Sequence, residues 1–260
     1  MSKMMPILLF VLILVAASFI FESASPSSRL SAAAEFNGSS RTPDYIESYI
    51  NSPFNNAFTV SFWMYPGRVG NGINGSVFSE DIVDILNGTS NLAAFPQMST
   101  EWRGNGNFNE NICTNGGQCS EVWVPVTALN KWVFVTEVYN NRNYSLYVNG
   151  TLQKTNFVYD FLQGAWTTKQ SRLFISYVIP FSSNTMDDEF GGLISNVQIY
   201  NRSLNQSEVH LLFNRSISGS PIQSGLVAWY RLNGNANDNS GHGYGGVIYG
   251  DVNFVPLPKN

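Results

Sequence analysis

The sequence predicts an all-β fold, a two-sheet antiparallel jelly-roll sandwich with one short helix near the C-terminal end. Three observations carry this. Short runs mixing apolar, aromatic and hydroxyl residues recur along the chain, Asn-, Gly- and Pro-rich turn signals separate them, and a single stretch shows helical periodicity. Aromatic residues make up 14% of the chain and charged residues only 12%, a composition that can build a core and excludes wholesale disorder. The length of 260 residues suits one large β-domain. The formal net charge of -4, with no Lys or Arg run after the N-terminus, lacks the electrostatic footprint that phosphate binding needs, so nucleic acid is excluded as a partner.

Residues 1–34 read as a signal peptide or an N-terminal membrane anchor. Lys3 precedes an apolar run from Met4 to Phe21, and small residues follow at Ser23, Ala24, Ser25 and Ala32 to Ala34, the layout of a secretory signal. The run is also at the lower limit for crossing a bilayer, so membrane attachment through residues 4–21 is the alternative. Under either reading the remaining chain lies outside the cytoplasm, secreted or at the cell surface.

Phe58 to Tyr65, closed by Pro66-Gly67, reads as a central strand. Lys131 to Tyr139 reads as another. A polar cluster at Asn140 to Asn143 turns the chain, Tyr144 to Val148 returns antiparallel, and Asn149-Gly150 supplies a type I′ hairpin turn before a third strand ending near Lys154. Arg172 to Val178 and Leu193 to Tyr200 are further strands. Asn205 with Glu208 forms a capping-box start for a helix whose inner face carries Val209, Leu212 and Phe213, and which stops between Arg215 and Ser218. The stretch from Arg68 to Val122, rich in Gly, Asn and Ser, is expected to form long loops and edge strands on one rim.

These residues carry a resemblance. Glu35 to Ser40 (EFNGSS), Tyr45-Ile46-Glu47 and Phe58 to Trp63 (FTVSFW) are followed by Lys131 to Val135, Leu146 to Gly150 and Phe190 to Leu204. The ordered series resembles laminin G-like jelly rolls of the concanavalin A-like superfamily and implies one such domain over residues 35–217. Two departures stand out. Ser195-Asn196 occupy a position where the family usually has an Asp-Glu pair, which weakens any inherited calcium or ligand site there. Gly225 to Phe254 resembles the family's first strand and following loop, yet here it comes last, in the segment 218–260. A circularly permuted chain completing its own sheet, a strand donated to a neighbour, or the remnant of a second module would each account for it. The linker Ser218 to Ser224, bent by Pro221, suits a return to the parent sheet, although extended it would span roughly 20 Å to a neighbour.

Several groups are candidate functional or modified residues. Cys113 and Cys119 enclose five residues, short enough to close as a disulfide outside the cell. Asn-x-Ser/Thr triplets begin at Asn37, Asn74, Asn87, Asn143, Asn149, Asn201, Asn205 and Asn214, glycan acceptors in an exported chain. Asp187, Asp188, Asn237 and Asp238 offer oxygen ligands for calcium, ordinary turn chemistry being the competing reading. Trp102, Phe108 and Trp166 sit among polar or small neighbours and are candidates for a sugar-binding rim, core packing being the alternative. Glycosidases that retain configuration need two carboxylates about 5 Å apart. Neither Glu80 to Asp84 nor Asp187 to Glu189 has the strand pattern that would supply them, so no enzyme is expected. The expected function is a non-catalytic extracellular module recognising carbohydrate or protein, with a surface or filament subunit self-associating through its C-terminal strand as the alternative.

Overall fold

The computed structural model describes residues 32–37, 44–53, 57–67, 79–87, 97–103, 107–113, 119–126, 129–157, 170–176 and 190–258. Its strands form two antiparallel sheets. Sheet I runs β10 (Thr151–Phe157), β9 (Asn143–Val148), β8 (Val133–Asn140), β3 (Ala57–Pro66), β12 (Gly191–Tyr200), β1 (Ala32–Asn37) and β15 (Asn253–Pro256), with β13 (Leu226–Tyr230) also paired to β12. Sheet II runs β14 (Val247–Tyr249), β2 (Tyr45–Asn51), β11 (Gln170–Ile175), β4 (Ser79–Asn87), β5 (Gln97–Arg103), β6 (Asn107–Cys113) and β7 (Cys119–Pro125).

The period-2 alternation of side chains assigns the faces. Phe58, Val60, Phe62 and Met64 of β3, and Val133, Val135 and Tyr139 of β8, point between the sheets. The expected central strand is indeed central, flanked by β8 and β12. Both hairpins of the β8–β9–β10 meander turn through pairs of residues at positive φ, Asn141-Arg142 and Asn149-Gly150. The Asn-Gly turn was legible because few other residue pairs tolerate that geometry. Gly150 has a second reason to be glycine, since a Cβ there would sit 3.2 Å from Phe213 on the helix above.

The segment between Arg68 and Val122 corrects the expectation of rim loops. It contributes β4, β5, β6 and most of β7, a regular meander that makes up more than half of sheet II. Trp102 and Phe108 are corrected with it. They are cross-strand partners on β5 and β6, and both are buried, at 1% and 0% exposure, in the main core. Packing is therefore the role of these rings. Trp166 lies outside the described residues.

On the outer face of sheet I a second cluster forms, in which Trp63, Phe134 and Tyr147 meet Val209 and Leu212 of helix α1 (Gln206–Asn214). The helix starts where the capping box predicts. The Asn205 side chain accepts from Glu208 N at 3.0 Å, and Glu208 reaches back to Asn205 N at 2.9 Å. Glu208 also takes a two-pronged contact from Arg202, 2.9 and 2.7 Å, and that partner holds its carboxyl below the usual range. Arg202 Nε in turn donates to Ser224 O at 2.8 Å, tying the helix start to the linker.

The C-terminal segment returns to its own sandwich. β13 pairs with β12, β14 with β2 and β15 with β1, so both sheets are finished by residues after 225. Tyr230 locks the sheets together: its hydroxyl lies 2.8 Å from Ser48 Oγ and 2.6 Å from Tyr244 O, and Ser48 donates to that same carbonyl. A chain ending at Ile217 would leave the Val197–Tyr200 part of one β12 edge unpaired and its apolar neighbours wet. Such a chain is expected to lose its cooperative thermal transition and to aggregate, as read by calorimetry and size exclusion; a sharp transition in a monomeric truncation would show that the segment is dispensable.

Candidate functional site

Strand β2 has the sequence YIESYIN, and its alternation puts two kinds of chemistry on two faces. Ile46, Ser48 and Ile50 face the core, where the two isoleucines join the main cluster and Ser48 meets Tyr230. Tyr45, Glu47 and Tyr49 take the outer face of sheet II. Neighbouring strands complete a patch there. Tyr249 of β14 is the cross-strand partner of Tyr45 and stacks on it with ring centroids 4.5 Å apart and an interplanar angle of 11°. From β11 come Arg172 and Phe174, opposite Tyr49 and Glu47 respectively.

The centre of the patch is an ion pair almost removed from water. Arg172 Nε and Nη2 lie 2.8 and 2.7 Å from Glu47 Oε1, and the two side chains are only 9% and 8% exposed. The guanidinium carbon sits 4.7 Å from the centroid of Phe174 and 5.9 Å from that of Tyr49, positions suited to cation–π attraction. Burial, then a hydrogen bond to Glu47 and the charge of that carboxylate, push the Tyr49 phenol above its ordinary value. Around this dry centre two rings are open, Tyr49 at 44% and Tyr249 at 40% exposure, while Phe174 is buried and Tyr45 half-buried. The arrangement offers apolar ring faces edged by phenol hydroxyls, held by a charge pair that cannot move without breaking.

The loop after β13 serves a different purpose from the one expected. Asp238 Oδ1 accepts from Trp229 N at 3.0 Å and Ser240 N at 2.8 Å, while Oδ2 accepts from Ser240 Oγ at 2.8 Å and Tyr244 N at 3.0 Å. Burial alone would raise the acid, but these donors outweigh it and hold the carboxyl below its ordinary value. A carboxylate whose lone pairs already face N–H and O–H donors is not disposed to take calcium, which corrects the metal reading at Asp238. Asn237 N donates to Asn235 Oδ1, and the Asn237 carbonyl accepts from Asn239, so Asn237 belongs to turn chemistry as well. Asp187 and Asp188 lie outside the described residues, among which there is no group of three His, Cys, Asp or Glu placed to hold a metal.

Backbone register places Cys113 and Cys119 directly opposite each other at the end of the β6–β7 hairpin. Among the glycan candidates, Asn37, Asn143, Asn149, Asn201, Asn205 and Asn214 all lie on strands of sheet I, on its turns, or on the helix and loops beside it. Asn149 and Asn205 already spend their side-chain oxygens, on Phe134 N and Glu208 N. Asn87 ends β4, its side chain outside the described set, as is all of Asn74.

Comparison with known proteins agrees with this architecture. A laminin G family model, described as concanavalin A-like lectin/glucanases superfamily, matches residues 40–210. The chain belongs to this family. A heptameric SAP-like pentraxin from Limulus polyphemus has a similar structure, with a TM-score of 0.58 and 14% identity over 87% of this chain and 95% of that one. A proposed carbohydrate-binding protein from Bacteroides ovatus has a TM-score of 0.57 and 15% identity, over 88% of this chain and 61% of that one. Identities this low speak for the fold alone. No curated protein matches the sequence. Within this laminin G-type chain the matched span stops inside α1, so β13, β14 and β15 lie beyond it. Tyr249 therefore joins the patch from outside the family match, while Tyr45, Glu47, Tyr49 and Arg172 come from within it.

The sequence reading missed these residues. Tyr45 and Glu47 entered it only as part of the resemblance, although aromatic and acidic residues alternating with Ile46 and Ile50 on one strand are a usable signal. Nothing in sequence brings Arg172 or Tyr249 to them. Two outcomes are expected. Glu47→Gln leaves a buried guanidinium uncompensated and costs about 3 kcal/mol, measured by urea unfolding, whereas replacing both partners by Met restores most of that loss. Asp238→Asn is expected to cost about 1–3 kcal/mol at neutral pH, because an amide donor then faces backbone donors. A carboxyl with a depressed folded value stabilises fully above its ordinary 3.8 and loses that contribution as pH falls through the folded value, so the gap between parent and variant should close only below pH 3.8.

Proposed function

We propose that this chain is a non-catalytic, extracellular recognition module that binds carbohydrate on the outer face of sheet II. One observation carries the reading: two solvent-exposed tyrosine rings, Tyr49 and Tyr249, the latter stacked on the half-buried Tyr45, flank a desolvated Arg172–Glu47 pair. Sugars present apolar C–H faces edged by hydroxyls, and a rigid ring with a polar rim matches both. Phenols lose little rotamer freedom on binding, which favours them over longer side chains. A non-catalytic role is supported by the state of Glu47, whose carboxylate is occupied by Arg172 and so is poorly suited to proton transfer or nucleophilic attack.

The placement of the glycan candidates supports the same face. The six whose side chains are described lie with sheet I and its helix, away from Tyr45, Tyr49 and Tyr249 on sheet II. Export through residues 4–21 would bring the domain to the compartment where such glycans are added. Laminin G-type and lectin-type relatives make a binding role the natural expectation for this fold, although a fold alone names no ligand.

The test is a glycan array on the secreted protein, followed by calorimetry with the best ligand. Tyr49→Ala and Tyr249→Ala are each expected to weaken binding by about tenfold, near 1.4 kcal/mol, with unchanged far-UV and near-UV circular dichroism. Binding equal to the parent in both variants, or an array without a single ligand, would sink the reading.

A further inference from the structure

Strand β12 has one edge shared by two strands. β1 pairs with its first part, up to Ala34 opposite Ile194, and β13 with its last part, beginning at Tyr230 opposite Val197. Between them the ladder is interrupted: the register against β3 shifts between Ser195 and Gln198, and Asn196 adopts a positive φ of 53°. The start of β1 and the end of β13 converge on this break. Ser195 Oγ spans it, 3.4 Å from Ala32 O and 3.1 Å from Arg231 O. A small pocket opens there, lined by Ser195, Asn196, Ile217, Ser218, Arg231 and Asn233.

The polar groups around it are unevenly spent. Asn196 is fully engaged, accepting from Trp229 Nε1 at 2.6 Å and Gln198 Nε2 at 3.0 Å and donating to Gly219 O at 3.0 Å. Arg231 is not. Its guanidinium carbon rests 5.5 Å from the Trp229 ring centroid, and among the described residues it has no ion pair and donates no hydrogen bond. The Asn233 side chain is likewise without a hydrogen bond there, and among the described residues the lining contains no carboxylate. Both residues are half-buried. A half-buried guanidinium, oriented by the Trp229 indole and left with all its donors, is preorganised for a planar anion.

We infer that this pocket is a second binding site, which takes the carboxylate of a small ligand in a forked contact with Arg231, Asn233 supplying a further donor. The site stands on the opposite sheet from the tyrosine face and does not depend on it. Uronic acids and peptide C-termini both present the required group.

The Trp229 indole N–H gives a direct readout, because the ring lies under Arg231. In a ¹⁵N-correlated NMR spectrum, with the peak assigned by Trp229→Phe, sodium acetate, glucuronate and an N-acetyl dipeptide would each be titrated at constant ionic strength against a chloride control. The expected result is a saturable shift of that indole with acetate, larger or tighter with whichever of the two extended ligands fits the rim. Arg231→Gln abolishes it, Arg231→Lys weakens it by about tenfold because the fork is lost, and the other indole signals stay in place. Tyr249→Ala leaves the response unchanged, separating this site from the glycan face. A shift that follows chloride equally, fails to saturate, or survives in Arg231→Gln would overturn the assignment.

Discussion

Everything in this sandwich hangs on the edge of β12 that β3 does not occupy. Each backbone N–H and C=O along it must find a partner, since a buried unpaired group costs as much as a lost hydrogen bond. No single strand supplies those partners. β1 covers one part and β13 the other, and they arrive from opposite ends of the chain. The fold is complete only when the last residues come home. Tyr230 reinforces this closure by joining β13 to Ser48 in the facing sheet, and Asp238 does so by organising the turn that follows.

The break in β12 illustrates how a fold absorbs two strands end to end. Ser195 and Asn196 here knit backbone to backbone. Asn196 tolerates the left-handed conformation that a bulge imposes, and its amide connects Trp229, Gln198 and the linker carbonyl of Gly219. The network continues from Gln198 to the Tyr200 hydroxyl, which accepts from Ile222 N. Burial, first among its influences, drives that phenol well above its ordinary value, so it stays neutral and fixed. Ser195 and Asn196 thus form a structural joint, and the pocket opens beside it.

The outer face of sheet II follows a different logic. An ion pair sheltered from water is weak support for stability, because desolvating both partners offsets their attraction. Its value is geometric. Arg172 and Glu47 join adjacent strands and hold Tyr49 and the buried Phe174 in place, so the exposed Tyr49 ring keeps one orientation.

Local chemistry was legible wherever one short stretch sufficed to determine a conformation. The Asn149-Gly150 turn, the Asn205–Glu208 capping box and the alternating strand Phe58 to Tyr65 were readable because their geometry depends on residues a few places apart. The fold class followed from their repetition. Trp102 and Phe108 were misplaced because Gly and Asn neighbours look the same whether a strand pair encloses them or water does; only the arrival of sheet I above them decides. The tyrosine patch and the Arg231 pocket were out of reach for the same reason. Glu47 lies 125 positions from Arg172, and Ala32 comes within reach of Ser195, 163 positions away. Local sequence sufficed for the turns, the helix cap, several strands and the sandwich class; strand order, a long-range pairing governed by backbone satisfaction and core closure, decided the rest of the strands and which side chains meet, and with them the candidate sites.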